Sequence, residues 1–466
     1  MLFHEWSHKF GNDDSLKIGL AGYHIEALVV APVAFVIFLV AALSVDPAAV
    51  KAAALATAAI SPVWVPLFIV SFFWTSWIEY IRFQFWFSQE HILLEVQLPP
   101  EVEKSPLSME LFLTTLWNSG GESTFIARIW KGQFRPVWAL EIASNEGRVS
   151  YYIHTRQSWR NVIEARLYGQ YPEAKITLAE DYAAKVNFNL DDYDLWGTEY
   201  SKAQAGAVPI KTYVDYALDK NPDTPEIQVD PITNILEYFS HVGEGEYLWL
   251  QIIMKARKKD EWFGFYDYKH DHYKDGGKAE IDKMVKVAGE RAKKLVGEDP
   301  EKQAQAQARG LTLLTESERR RVEAIEKAMG KLTFECGMRG VYISKKGRFN
   351  PVNIGSLVRL FDPVRSNDYN QINPTRGMAI FDYPWQDFHD IRKRYIKKQT
   401  YEFYKNRAYF YVPYDQVPVF MNTEELATLW HFPNSKTAPP GLERVASKRS
   451  EAPANLPTGI RASSAR

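Results

Sequence analysis

The sequence predicts a mixed α+β protein in which a two-helix transmembrane hairpin is followed by tandem ferredoxin-like α/β sandwich domains with a helical insertion. Three observations lead to this fold class: two long apolar stretches near the N-terminus, alternating strand and helix patterns after them, and a recurrence of that alternation later in the chain. The 56 basic and 57 acidic residues nearly balance, and an aromatic fraction of 14% indicates well-packed folded domains.

The apolar stretches cover residues 25–45 and 60–78, and each is about as long as a helix that crosses the hydrocarbon core of a bilayer. Amphipathic rings typical of a membrane–water boundary lie at the end of the second stretch: Trp74, Trp77, Tyr80 and Trp86. We therefore predict a transmembrane hairpin over residues 25–80, after a cytosolic segment, 1–24. The alternative is a pair of buried core helices in a soluble domain, although such helices usually keep a polar stripe.

The charges that flank the hairpin indicate its orientation. Lys9, Lys17 and Arg82 lie outside its ends, whereas its turn contains only Lys51. Because Lys and Arg accumulate on the cytoplasmic side of membranes, we expect the inner (cytoplasmic) membrane, with the large C-terminal part in the cytosol. The single cysteine, Cys336, rules out an intramolecular disulfide and agrees with a reducing compartment.

The residues after the apolar stretches predict a first ferredoxin-like domain over residues 90–200. An extended segment, HILLEVQLP, precedes a helix over 106–118 that is capped by Ser105 and has a proline in its first turn. Two strands, VWALEIASN and RVSYYIHT, flank a turn at Glu146 and Gly147, and a second helix and a last strand follow them. The order strand, helix, strand, strand, helix, strand is that of a ferredoxin-like sandwich.

The same order recurs over residues 201–383, which predicts a second ferredoxin-like domain. GRVSYYIHTRQSWRNVIEARLYGQYP in the first copy corresponds to RGVYISKKGRFNPVNIGSLVRLFDP in the second, each with an aromatic strand, a basic turn, a helix and a proline. Two copies of one fold are the simplest explanation, and a chance similarity is the alternative. The polar segment 260–331 predicts a helical pair inserted into the hairpin of the second copy, either as an interaction arm or as a solvated excursion.

The remaining residues predict C-terminal helices with a docking segment, 384–433, and a flexible tail, 434–466, that is rich in Pro, Ala and Ser. Motifs that usually reveal an enzyme are absent from the sequence: there is no GxxxxGK[ST] phosphate loop, no HExxH and no GxSxG, and a single cysteine cannot form a CxxC site. We therefore predict no catalytic residue, no cofactor and no metal site.

One basic cluster lies in a helix-like stretch with interleaved aromatic residues. Its members are candidates for contact with phosphate or lipid: Arg392, Lys393, Arg394, Lys397 and Lys398. Cations beside aromatic rings can follow the phosphate backbone of DNA and stack on exposed bases, and they can equally contact anionic lipid headgroups. The alternative is a charged outer helix face whose aromatic residues pack into the core.

The segment VFMNTEELATLWHFP predicts a short helix that Asn422 or Thr423 caps and that Pro433 ends. Together with EIASNEGRVSYYIHT, VIEARLYGQYPEAKITLAEDY and EAPANLP, it resembles the N-terminal module of membrane-anchored HerA/FtsK-type ATPases of candidate phyla radiation bacteria. These ATPases are related to the coupling ATPases of type IV secretion and conjugation. The resemblance covers most of the chain after Glu90 and is most specific over residues 422–433.

The resemblance implies a two-span membrane anchor, ferredoxin-like repeats and a place in a type IV secretion or conjugation-like translocation complex. Because the sequence has no phosphate loop, ATP hydrolysis is not carried over, and we expect either a separately encoded motor or a truncated relative. The short helix would then dock the motor, and a packed terminal helix is the alternative. Its candidate docking residues are Asn422, Glu424, Glu425, Leu426, Leu429 and Trp430.

The leading hypothesis is therefore a non-enzymatic membrane anchor and assembly module that forms a homo-oligomer. Its expected partners are membrane lipid, a HerA/FtsK-type ATPase and DNA. A membrane-attached scaffold of a secretion or surface-appendage machine without a nucleic-acid role is one alternative, and a membrane-bound enzyme with an unrecognised site is the other.

Overall fold

A computed structural model gives the structure of the chain over the parts that it describes, which are residues 19–20, 23–24, 47–99, 104–118, 122, 124–220, 229–258, 261–262, 265–266, 271–296, 314–375, 387–411, 414–433, 439 and 441–444. Within these ranges the protein is a mixed α+β structure built on one large antiparallel sheet, with helices on both faces. The mixed fold class predicted from the sequence is thereby confirmed.

The strands of the main sheet are labelled in chain order. They are β1 (His91–Gln97), β2 (Val137–Asn145), β3 (Arg148–Arg156), β4 (Lys175–Ala179), β5 (Tyr193–Lys202), β6 (Glu246–Ala256), β7 (Thr333–Lys345), β8 (Ile372–Pro374) and β9 (Val419–Asn422). The order across the sheet is β8-β5-β7-β6-β2-β3-β1-β4, and β9 pairs with the first residues of β7. Two-residue strands at 19–20 and 23–24, at 261–262 and 265–266, and at 410–411 and 414–415 form separate small pairs.

The helices are labelled in the same way. They are α1 (Pro47–Ser88), α2 (Pro106–Leu116), α3 (Phe125–Ile129), α4 (Arg160–Gln170), α5 (Tyr182–Lys185), α6 (Pro231–Ser240), α7 (His272–Val296), α8 (Glu316–Gly330), α9 (Pro351–Val358), α10 (Ile391–Lys405) and α11 (Thr423–Leu429). Three of them, α2, α6 and α9, begin in the same way, because a capping side chain precedes a proline at the first helical position. The caps are Ser105, Asp230 and Asn350.

The sheet consists of two halves with the same connectivity. Strands β1 to β4 are ordered β4-β1-β3-β2, and strands β5 to β8 are ordered β8-β5-β7-β6. In each half a helix follows the first strand and another follows the third, which is the β-α-β-β-α-β arrangement expected of a ferredoxin-like repeat. The two halves meet where β2 pairs with β6. Instead of two separate sheets, the chain therefore forms one continuous sheet.

The β2–β3 hairpin and the helical insertion occupy equivalent positions in the two halves. In the first half, Glu146 and Gly147 both have positive φ, 55° and 86°, as a tight two-residue hairpin turn requires. In the second half, the chain between β6 and β7 instead contains α7 and α8. These two helices lie within the segment for which a helical pair is predicted. Apolar contacts join them through Ala288, Leu314 and Val322.

The two faces of the sheet are covered differently. On the first face, helices α2, α4, α6, α9 and α11 pack side by side into a single core cluster that extends across both halves. The second face is covered by α5 and α10, through Tyr182, Tyr401 and Tyr404. Beside them, Phe85 and Trp86 at the end of α1 pack against Phe134 and Phe410. The long helix and the basic helix therefore lie on the same face of the sheet.

A buried charge network holds α10 at the junction of the two halves. Glu141 of β2 lies opposite Gln251 of β6, and the Gln251 side-chain amide donates a hydrogen bond to it at 2.7 Å. The guanidinium of Arg407, just after α10, donates to both oxygens of Glu141 at 3.0 and 3.1 Å. Tyr182 donates to the same carboxylate at 2.8 Å. Because Glu141 is fully buried, these donors replace the water that a carboxylate otherwise requires.

The predicted transmembrane hairpin is not supported. Its first span, 25–45, lies outside the described residues, and its second, 60–78, is the middle of the 42-residue helix α1. Most of the predicted turn, from Pro47 onward, is also helical, because this Ala-rich segment has a high helix propensity. No helix in the described part of the chain combines the length and the apolarity needed to cross a membrane.

Two predicted boundaries also differ from the structure. The limit between the domains, at residue 200, falls inside β5, which is the first strand of the second half. This strand, YDLWGTEYSK, is not among the elements predicted from the sequence. In the predicted flexible tail, residues 441–444 lie along the sheet: the Val149 amide donates to the Gly441 carbonyl at 2.9 Å, and the Glu443 amide donates to the Val149 carbonyl at 3.0 Å.

We predict that Arg407→Met lowers the free energy of unfolding by about 3–5 kcal/mol, because it leaves Glu141 buried without its cation. Thermal and urea unfolding of the purified protein measure this change. The matched control is Arg348→Met, since Arg348 is half exposed and its ion pair with Glu244 contributes about 0–1 kcal/mol. Equal effects of the two substitutions would contradict the structural role of the network. The double variant Glu141→Met with Arg407→Met removes both charges, and we expect it to recover part of the lost stability.

Candidate functional site

The predicted basic cluster lies on α10, which is held to the second face of the sheet by its aromatic residues. Tyr401 donates a hydrogen bond to the Ala183 carbonyl at 2.6 Å, and the hydroxyl groups of Tyr404 and Tyr182 are 2.8 Å apart. Tyr401 and Tyr404 are buried, and Phe403 packs against Tyr414. These aromatic rings therefore belong to the core and are not available to stack on bases.

The five candidate cations have different surroundings. Lys397 forms an ion pair with Asp194, and Arg394 forms a longer one with Asp191 at 3.4 Å. The side chains of the other three, Arg392, Lys393 and Lys398, are exposed. The structure thus keeps all five residues on one short helix, and Arg394 and Lys397 among them form the two ion pairs with Asp191 and Asp194.

The motif segment over 422–433 is buried and does not form a surface for docking. Asn422 accepts a hydrogen bond from the Glu425 amide and Glu425 accepts one from the Asn422 amide, which is a complete capping box. All six candidate docking residues are buried, including Leu426, Leu429 and Trp430 with at most 1% exposure. A motor subunit cannot contact side chains in this position, so the packed terminal helix describes this segment.

The glutamates of the motif attach the helical insertion to the core. Glu424 forms ion pairs with Lys327, at 2.9 Å, and with Lys331. Lys331 forms a second ion pair, with Glu110 of α2 at 2.6 Å. Glu425 forms a fully buried pair with Lys202, at the end of β5, at 2.6 Å. Lys327 and Lys331 lie at the C-terminal end of α8. The network therefore fixes the base of the insertion.

The pKa values of this network follow from its geometry. Burial raises the pKa of Glu424, but hydrogen bonds from Lys327, Lys331 and Thr212 outweigh burial and hold that pKa below its usual value. Burial lowers the pKa of Lys331, but hydrogen bonds to Glu110 and Glu424 outweigh it and raise that pKa. Both groups therefore stay charged at neutral pH, and their charges compensate each other inside the protein.

A polar groove opens beside this network between α8 and the loop that follows β5. Its volume is about 210 Å³, and its lining contains both signs of charge. The charged and hydroxyl-bearing residues on it are Thr212, Asp215, Arg320, Glu323, Lys327, Lys331, Tyr369 and Glu424. Asp215 accepts hydrogen bonds from the Thr212 amide and the Tyr369 hydroxyl. The polar groups that line the groove largely form hydrogen bonds and ion pairs with one another. This indicates an internal network more than a ligand site.

The exposed apolar surface of α1 is the most unusual feature of the described structure. No charged residue lies between Lys51 and Glu79. Large apolar side chains in this interval are more than half exposed: Leu55, Ile60, Val63, Leu67, Ile69, Val70, Phe72 and Phe73. Since successive residues of a helix are about 100° apart, these positions point to all sides of α1. A helix that is apolar all round requires an apolar environment on every side.

The C-terminal turns of α1 are firmly attached to the sheet. The Trp77 indole donates a hydrogen bond to the Ile129 carbonyl at 2.9 Å, and its ring packs edge-on against Trp130. Gly132, with φ of 60°, passes so close to α1 that an added Cβ would lie 2.2 Å from the Ile81 carbonyl oxygen. Only glycine fits at this position. The C-terminal end of α1 is therefore held in a defined position relative to the sheet.

A small apolar cavity lies where α1 meets the end of α10. It has a volume of about 160 Å³ and is lined by Phe83, Trp86 and Phe87 of α1, by Phe403 of α10, and by Tyr409 and Phe410 after it. This cavity shows that the last turns of α1 and α10 are direct neighbours. The basic residues of α10, 392–398, lie toward the other, N-terminal end of the helix.

Comparison with known proteins adds no family to this description. No protein-family model matches the sequence, and no curated protein matches it either. Among the residues that the structure describes, no group of three or more His, Cys, Asp or Glu side chains is arranged to hold a metal ion. The features that bear on function are therefore α1, the basic helix α10 and the network around Glu424.

We predict that Glu424→Gln lowers the free energy of unfolding by about 1–3 kcal/mol at neutral pH, since it replaces the buried carboxylate that pairs with Lys327 and Lys331 by a neutral amide. The pKa of Glu424 is lowered in the folded state, so its contribution is present above the unfolded value of about 4.3 and is lost as the pH falls through the lower folded value. Chemical unfolding across this pH range measures the effect. The difference from wild type should shrink in acid, and the exposed control Glu326→Gln should show little change at any pH.

Proposed function

We propose that this protein is a membrane-attached platform on which a HerA/FtsK-type translocation ATPase assembles, with the folded domain in the cytosol at the inner membrane. The observation that supports membrane attachment is the exposure of apolar side chains on all sides of α1. Water is a poor environment for this surface, because exposed apolar area is unfavourable by about 25 cal/mol per Å². Lipid would cover this surface. Because no helix in the described part of the chain combines the length and apolarity of a membrane span, the proposal is attachment of α1 to the membrane and not a crossing of the bilayer.

The attachment of α1 to the sheet supports a platform role. The helix is about 63 Å long at 1.5 Å per residue, and its C-terminal turns are fixed by Trp77, Ile81 and the loop around Gly132. A rigid connection of this kind would hold the folded domain at a constant distance and angle from the lipid. A module that positions a motor at a membrane needs such a connection, whereas a flexible tether would leave the orientation undefined.

The proposal of a motor partner is based on the resemblance of residues 422–433 and of the repeats to HerA/FtsK-type ATPase modules. Because the candidate docking helix α11 is buried, its residues would contribute by holding the insertion in place, and the motor would contact another surface. The expected homo-oligomer and the expected role in type IV secretion or conjugation-like translocation belong to the same proposal. The chain itself would act without catalysis.

The lipid contact of α1 can be tested with a dye placed at Val70. Val70 is 64% exposed and Val352, on helix α9 of the opposite sheet face, is 71% exposed, so the two valines form a matched pair. Cys336 is completely buried, which makes labelling of Val70→Cys and Val352→Cys selective. In protein reconstituted into vesicles, we expect the dye at Val70 to show blue-shifted emission and quenching by nitroxides in the acyl region. The dye at Val352 should be quenched by iodide.

Two outcomes of this labelling experiment would overturn membrane attachment. One is aqueous behaviour of the dye at Val70 in the presence of vesicles. The other is recovery of the wild-type chain in the soluble fraction of expressing cells. A thiol-specific, membrane-impermeant reagent applied to intact cells provides an additional check of the expected orientation, since Val352→Cys should remain unlabelled until the cells are opened.

The expected absence of catalysis gives a separate prediction. Because the sequence has no phosphate loop, the purified chain should show neither ATP hydrolysis above background nor a shift of its melting temperature with ATP and magnesium. A ligand present at a hundred times its dissociation constant stabilises a protein by about 2.7 kcal/mol, so binding would be visible in thermal unfolding. A nucleotide-dependent shift of several degrees would contradict the prediction.

A further inference from the structure

The short helix α3 presents large apolar side chains at its surface. Ile126 is 59% exposed, and Trp130, which follows the last helical residue as its C-cap, is 63% exposed. The two residues are four positions apart, so they lie on the same side of α3. Ala127 and Ile129 are buried and hold the helix to the rest of the structure. The exposed side of α3 is therefore apolar, whereas the outer side of a surface helix is usually polar.

This surface of α3 is continuous with the apolar surface of α1. The ring of Trp130 packs edge-on against that of Trp77, with 5.6 Å between the two ring centroids. Trp77 in turn contacts Phe73 and Tyr80, at centroid distances of 6.3 and 6.4 Å. The side chains of Phe73 and Tyr80 are both more than half exposed. These contacts form one row of aromatic rings that extends from α1 onto α3.

The aromatic row lies at the level where α1 changes from apolar to charged. No charged residue lies between Lys51 and Glu79, and Trp77 and Tyr80 flank Glu79 in the sequence. Tryptophan and tyrosine prefer the boundary between lipid and water, because each combines an apolar ring with a polar group. The hydrogen bond from the Trp77 indole to the Ile129 carbonyl holds α3 at the same level.

We propose that α3 enters the lipid–water boundary beside α1, with Ile126 and Trp130 in contact with lipid. This inference rests on the proposed membrane attachment of α1 and adds a second contact, which the folded domain itself forms. Contacts on two different elements would fix the orientation of the domain relative to the membrane, whereas α1 alone would leave rotation about its own axis free. Lipid is the occupant that the aromatic row supports, since its rings continue the apolar surface of α1 and have the chemistry of a membrane boundary.

The test uses the full chain reconstituted into vesicles, with an environment-sensitive dye on Ile126→Cys. The matched control is the dye on Val352→Cys, because Val352 is 71% exposed and α9 packs on the sheet face opposite to that covered by α1. We expect the dye at Ile126 to be shielded from iodide and to be quenched by nitroxides placed near the lipid headgroups. The dye at Val352 should be quenched by iodide.

A second measurement combines the dye at Ile126 with substitutions of Trp130. We expect Trp130→Ser to lower the ratio of lipid-embedded to aqueous dye about tenfold, since burying one large apolar side chain shifts an equilibrium by at least this factor. Trp130→Tyr keeps a ring suited to the boundary and should stay embedded. The control Val352→Ser removes an exposed apolar side chain from α9 and should behave like the parent. An unchanged ratio in Trp130→Ser would exclude the proposed contact.

The dye at Val70 separates failure of this inference from failure of the proposed function. If the dye at Val70 is in lipid while the dye at Ile126 is quenched by iodide, lipid contact by α3 is excluded and membrane attachment stands. Aqueous behaviour of both dyes would overturn both proposals. Shielding of the dye at Ile126 from iodide and from the nitroxides alike would assign this surface to a second copy of the chain, and would likewise overturn the lipid contact.

Discussion

Strands β2 and β6 pair in antiparallel register from Val137 opposite Lys255 to Asn145 opposite Tyr247, and this pairing joins two half-sheets that would otherwise each expose an unpaired edge. Each half has the connectivity of a ferredoxin-like repeat, and each offers its second strand at the junction. Because the pairing makes one sheet, the five helices of the first face form one core cluster that extends over both halves. The halves are therefore parts of a single folded unit.

The junction also determines what covers the second face. Glu141 and Gln251 are opposite each other in the two central strands, and their buried polar groups require partners. Arg407 and Tyr182 donate to Glu141, and the Gln251 amide donates to Glu141 and to the Tyr404 carbonyl. These contacts hold α10 and α5 over the junction. The orientation of the basic helix thus follows from a carboxylate that is buried at the centre of the sheet. Its exposed cations point outward because its aromatic residues occupy the core.

Glu424 and Glu425, the acidic residues of the segment over 422–433, also have a structural role that follows from burial. Glu424 and Glu425 are buried, and they compensate the charges of Lys331 and Lys202 from elements that are distant in sequence. Removing such charges from water is unfavourable unless each one meets its counterpart, so the motif, the base of the insertion and the end of β5 depend on one another. The segment that looks most like a docking signal in the sequence is one of the most deeply buried parts of the described fold.

Most of the local structure of this protein can be read from short stretches of its sequence. Caps followed by proline, strand alternation and the Glu146-Gly147 turn placed most helices and strands, and the repeat was visible as a recurring order of elements. The apolar composition of α1 and the basic residues of α10 were also evident, because composition is a local property. What the sequence missed locally was β5, which has polar residues and an internal glycine that weaken its strand pattern.

The way in which these elements combine depends on contacts between residues that are distant in sequence. The joining of the halves depends on hydrogen bonds between β2 and β6, which are about a hundred residues apart, and backbone pairing leaves no signature in either segment alone. The burial of Glu424 and Glu425, the ion pairs of Arg394 and Lys397, and the shared face of α1 and α10 are likewise contacts between distant residues. A sequence pattern specifies the chemistry that a side chain carries, whereas its partners and its exposure are fixed only when the chain folds.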